Sequence, residues 1–270
     1  MKKYKIGQLA KMMCVSLDFI RFYEDKGLIA STIDINNHYH YYDISQSEII
    51  YKIQQYRKLG YNVNETVTLL KDANKEQLAS LFSSRSAVHN NNLKISSFAI
   101  RYLDFLQTVL NTEAETWYIS LKPAIWFLPH TQDDDYLEDP DILSAYKTWN
   151  EQVPFVYSMD RWVIDSDGTL REINHGRAIE CTVADEFGLK LYSPAERYPE
   201  KRCIEYYLDN ENASVNAVRP ALDLGSIQNA LDVVREKSFV LDGDVFLRHV
   251  LFYNDGLHRH DLFVVYIPIE

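Results

Sequence analysis

Glu180, in the run AIECTV, and Glu205, in CIEYYL, are carboxylates set among apolar neighbours. Asp and Glu are rarely buried without a partner or a task, so each is a candidate for meeting a ligand; a half-exposed strand that points the same group to water is the alternative. Aromatic residues crowd the same part of the chain. Trp117, Tyr118, Trp126, Phe127, Trp149, Phe155, Tyr157 and Trp162 fall within one short interval. Such rings line pockets for flat or cationic compounds, or pack strands together. No Gly-x-Ser-x-Gly, no HExxH and no Cys/His pair at suggestive spacing is present, so no catalytic residue is expected, and an enzyme would rest on Glu205 or Glu180 alone. Cys14, Cys181 and Cys203 are widely spaced, with no CxxC and no His at ligand spacing. Neither a metal site nor a cofactor is expected, and a reducing cytoplasm fits such cysteines best.

The elements that must hold these residues follow from periodicity. Ile6, Leu9, Ala10 and Met13 have helical spacing, a break at Cys14-Val15 follows, and Ser16 suits the N-cap of a second helix that ends near Gly27. Tyr39-His40-Tyr41-Tyr42 reads as the return strand of a small wing, and a further helical pair covers about 45–59 and 63–70. From about 75 to 112 there is neither Gly nor Pro, and Leu78, Leu81, Val88, Ile95, Ala99, Tyr102, Leu106 and Val109 alternate by three and four. That is a coiled-coil pattern with two polar seam positions, Arg85 and Asn92, and a local distortion is expected at Asn90-Asn91-Asn92. Beyond Thr112, strands are expected at 117–121, 124–128, 155–164, 178–183, 202–208, 245–252 and 262–269, and helices at 141–151 and 226–237. The fold class is therefore α+β, with a winged helix-turn-helix at 1–74, a coiled-coil dimerisation helix at 75–112 and a C-terminal α+β domain at 113–270.

The 270 residues are 46% hydrophobic and 25% charged, which excludes disorder and a disulfide scaffold. The longest apolar run, 262–269, is well short of the roughly 20 residues that span a bilayer, so no membrane partner is expected. The net charge of −11 is unevenly placed: 1–74 carries 10 basic against 8 acidic residues, whereas 114–270 carries 14 against 28. A near-neutral front can still meet phosphate, and an acidic back end is free for another task.

The run YKIGQLAKMMCVSLDFIRFYEDKGLI, followed by HYHYYD and YRKLGYNVNETVTLL, closely resembles the DNA-binding half of MerR-family transcription regulators. The C-terminal part is similar to GyrI-like effector-binding domains through FVLDGDVFLRHVLFY and the closing strand LFVVYIPIE. The resemblance, nearest to multidrug-sensing regulators of the BmrR kind, implies a cytoplasmic homodimer on double-stranded promoter DNA. An effector would twist the promoter so that RNA polymerase engages. DNA contacts carried over are Ser16, Asp18, Arg21, Phe22, Tyr23, Tyr39, His40, Tyr42, Arg57 and Lys58, with core packing the alternative for Tyr23 and Tyr42. His38 stands where the family commonly has Gly, and His40 where it has Arg, a better phosphate partner. The effector set is Trp126, Trp149, Tyr157, Trp162, Glu180, Glu205, Tyr207 and Leu247. Leu247 falls where drug-sensing relatives place an acid, so a small aromatic or hydrophobic effector, neutral or weakly polar, is expected. A GyrI-like hydrolase and a DNA-independent sequestering protein are the alternatives.

Overall fold

The computed structural model describes residues 2–132, 135–164, 170–212 and 224–270. The chain forms two compact units, 1–99 and 100–270. In the first, β1 (Tyr4–Lys5) and α1 (Ile6–Met13) lead to α2 (Leu17–Asp25). The turn between the helices is made by Cys14 in the left-handed region, and Ser16 Oγ accepts the Phe19 N–H at 3.0 Å, a cap that contributes about 1 kcal/mol. Then come β2 (Thr32–Ile33), β3 (His40–Tyr42), α3 (Ser45–Lys58) and α4 (Val63–Val67), the last continued by a π-helical turn, Thr68–Asp72. The wing is a three-stranded antiparallel sheet with β3 in the middle. Leu9, Ile20, Tyr23, Ile29, Tyr42, Ile50 and Ile53 form the core.

The long helix α5 (Lys75–Asn111) runs without interruption through Asn90-Asn91-Asn92, where a distortion was expected. Just before the three asparagines the helix is anchored to its own unit. Arg85 pairs with Glu65 at 2.9 Å and lies 4.6 Å over the Tyr61 ring, and His89 Nε2 lies 2.8 Å from the Leu59 carbonyl. Arg85 is thus spent within its own unit, a different task from a polar position in a two-chain seam.

In the second unit, β4 (Trp117–Lys122), β5 (Ile125–Pro129), β6 (Thr131–Gln132), β7 (Asp135–Tyr136), α6 (Pro140–Asn150), β8 (Tyr157–Ile164), β9 (Leu170–Glu180) and α7 (Cys181–Phe187) precede β10 (Glu196–Tyr198), β11 (Lys201–Asn212), α8 (Leu224–Glu236), β12 (Val245–Asn254) and β13 (Arg259–Pro268). Eight strands pair antiparallel in the order β10-β5-β9-β8-β12-β13-β11-β4, and β6 and β7 form a separate pair. One sheet face lies under helices: α8 covers Leu247, Trp162, Phe263 and Val265, and α6 and α7 cover Leu128 and Ile179. Phe127, Met159, Phe246 and Tyr266 lie on the other face, where Phe105 and Val109 of α5 pack.

Candidate DNA interface and effector face

On α2 the side chains of Arg21 and Phe22 are exposed, and Asp18 sits 3.6 Å from Arg21 on the same surface. Tyr23 and Tyr42, expected among the DNA contacts, are core residues at 3% and 1% exposure. Tyr23 packs edge-on against Phe22, and the Tyr42 hydroxyl donates to Glu24 at 2.8 Å. Alternation in a three-residue strand leaves one inward ring, and Tyr42 is that ring.

His40 is half exposed, with one ring nitrogen engaged by the protein. Its Nδ1 lies 3.2 Å from Glu24 and 2.8 Å from Ser31, which itself bonds to Glu24. Burial raises the Glu24 carboxyl, but the hydrogen bonds from Ser31, Tyr42 and His40 outweigh it, so the net shift is downward. His38 has φ 57°, the left-handed conformation that favours Gly, which explains why glycine suits this place in a wing. Tyr39 is exposed beneath the Lys5 ammonium at 4.9 Å, and Lys26 lies 5.7 Å over Phe22. These two lysines add positive charge that no motif in the sequence had singled out. Arg57 and Lys58 end α3, both exposed, with Arg57 donating to the Tyr61 carbonyl at 2.7 Å.

The second unit divides the expected effector set in two. Trp126, Trp149, Trp162 and Leu247 lie on the helix-covered face: Trp126 and Trp149 pack with α6 and α7, Trp162 and Leu247 under α8. Their bulk and apolarity draw them under the helices. Tyr157, Glu180, Glu205 and Tyr207 are on the opposite face together. There Arg248, missed in the sequence, is the centre. Its guanidinium carbon lies 3.9 Å from the Tyr157 ring centroid and 4.3 Å from that of Phe105, and Nη1 meets Glu180 at 3.2 Å. Glu205 accepts from the Tyr207 hydroxyl at 2.8 Å. Lys122, 2% exposed, holds its ammonium 4.9 Å from the Phe246 ring, and burial lowers its pKa to about 8. Burial likewise raises the phenols of Tyr157, Tyr198, Tyr207 and Tyr266. The Arg248–Glu180 pair and the rings of Tyr157 and Phe105 give a ring-lined face with an ion pair at its centre.

Residues 4–73 match the family of MerR HTH regulatory proteins. The N-terminal unit carries a MerR-type helix-turn-helix domain. Among solved structures, an EcmrR–DNA complex in EcmrR-RPo is 14% identical over 99% of both chains, with a TM-score of 0.36. A MerR-family transcriptional regulator from Bacillus cereus is 15% identical over 43% of this chain and 87% of that one, at a TM-score of 0.34. The C-terminal domain of EcmrR is 8% identical over 58% of this chain and 99% of its own, also at 0.34. Scores this low carry no functional argument for the second unit. No curated protein matches the chain at a significant level. Among the described residues, no helix is long and apolar enough to cross a membrane.

Proposed function

We propose that the chain is a MerR-type transcription regulator that binds promoter DNA as a homodimer and answers to a small aromatic effector held by a GyrI-like C-terminal domain. The observation that carries the DNA reading is α2. Inside the matched segment, it is capped by Ser16 and presents Arg21 and Phe22 to solvent, and a guanidinium there can take a phosphate or a base edge in the major groove. Lys5, Lys26, Arg57 and Lys58 supply phosphate contacts, and Tyr39 stands on the wing beside them.

The effector reading rests on the ring-lined face around Arg248. Because Arg248 is paired there with Glu180, a flat neutral or weakly polar compound fits without leaving the Arg248 charge uncompensated. Effector binding would alter how the dimer distorts its promoter and so change access for RNA polymerase.

Footprinting of the full-length protein across genomic fragments tests the proposal. The expected result is a protected inverted repeat whose affinity falls about 5- to 150-fold in Arg21→Ala, the equivalent of about 1–3 kcal/mol for a base contact. Absence of any protected palindrome, or an Arg21→Ala variant that binds as tightly as the parent, would overturn it.

A further inference from the structure

Asp160, His175 and His249 come from β8, β9 and β12, three neighbouring strands, and converge on the helix-covered face of the sheet. Asp160 is the direct cross-strand partner of His175 on one side and of Leu247 on the other, and His249 lies two positions beyond Leu247 on that same face. The two imidazoles approach different oxygens of one carboxylate. His175 Nδ1 meets Asp160 Oδ1, and His249 Nε2 lies 2.8 Å from Oδ2. One ligand atom from each residue falls within 4.8 Å of the other two. From this geometry we infer a binding site for a divalent first-row transition ion, of the Zn2+ or Co2+ type, with two imidazoles and one carboxylate as protein ligands.

The donor set selects the ion. Imidazole nitrogen with a single carboxylate suits zinc, cobalt, nickel or ferrous iron, whereas magnesium and calcium prefer oxygen alone and cuprous ions prefer sulfur. Three protein ligands are also the number found where a coordination position stays open. Burial is graded in a useful way. The Asp160 and His175 side chains are 3% and 9% exposed, while that of His249 is 33% exposed, so two ligands are fixed and the third stands at the mouth. Both rings' residues have contacts outside the triad: the His175 backbone N–H donates to Thr131 Oγ1 at 2.8 Å, and the His249 ring packs edge-on against Phe263 at 4.7 Å. Such outer contacts orient ligating rings.

Ligand atoms around a tetrahedral ion at bonds of about 2.0–2.1 Å stand about 3.3 Å apart, so both imidazoles must draw back from the carboxylate, His249 by about half an ångström from its present 2.8 Å. The exposed His249 ring can make that movement. Coordination through His175 Nδ1 and His249 Nε2 places the remaining ring proton of each on the other nitrogen, and a protonated ring must release its proton to solvent before it can ligate. The sequence hides the site because its ligands are 15 and 89 positions apart, with no local motif.

The test uses full-length protein treated with chelator and dialysed, titrated with Zn2+ by calorimetry and with Co2+ by visible absorption. The expected result is one ion per chain, a Co2+ spectrum showing nitrogen ligation, and an affinity at least tenfold lower in His249→Gln, which alters a partly exposed side chain and should fold. Asp160→Asn should give the same loss, with circular dichroism confirming that it folds. His258 and His260, near the far end of the β12–β13 pair, lie among carboxylates at 3.0–3.5 Å and serve as the control. A double His258→Gln/His260→Gln variant should bind as the parent does. No binding, binding unchanged in His249→Gln, or binding lost in the control variant would each overturn the inference.

Discussion

Glu24 belongs to the recognition helix yet spends its carboxylate on the wing, accepting from Ser31, Tyr42 and His40. One side chain therefore fixes the angle between the two parts expected to meet DNA. Its depressed pKa sets the sign of the pH dependence. The stabilisation is fully present above the unfolded value of about 4.3 and is lost as pH falls through the lower folded value. Glu24→Gln should cost about 1–2 kcal/mol at neutral pH and flatten the acid limb, as measured by denaturant unfolding of the full chain at pH 7 and pH 4. An unchanged acid limb would mean that Glu24 does not hold the wing. His40 Nδ1 is engaged with the same Glu24 and with Ser31.

Among the elements, α5 presents the clearest unsatisfied surface: Val88, Leu93, Ile95, Ile100 and Leu103 are exposed along it. An apolar stripe on a helix of 37 residues needs a partner, and a second copy of the same helix is the simplest one. Val88→Asp combined with Ile95→Asp should yield monomers by sedimentation equilibrium, and a persisting dimer would remove the seam. The helices of the first unit were legible because their caps and spacing are local: Ser16, Cys14 and Gly27 sit where the chain turns. In the second unit most strands were readable, but 178–183 was misread. β9 ends at Glu180, and Cys181 opens α7, where the β-branched Thr182 and Val183 had favoured a strand. The effector face was half legible for a similar reason. Both sheet faces are covered, so alternation cannot say which residues share a side, and Arg248 reads as a surface residue until Tyr157, Phe105 and Glu180 are seen around it.

Across the whole molecule, charge and aromatic content are divided between the units. The acidic C-terminal half repels a nucleic-acid backbone and leaves that contact to the near-neutral front. The buried tyrosines have a broader effect. Tyr42 and Tyr206 lie in cores, and Tyr157, Tyr198, Tyr207 and Tyr266 share the face around Arg248, all with phenols held above their ordinary value chiefly by burial. Above pH about 10 an unfolded chain would ionise them while the folded one keeps its protons. Each such group then withdraws up to about 1.4 kcal/mol of stability per pH unit. Six acting together should make alkaline ionisation and loss of structure one event. Phenolate absorbance from these rings should thus rise abruptly, in step with the collapse of the circular dichroism signal, and a gradual rise over intact secondary structure would show that they are open to hydroxide.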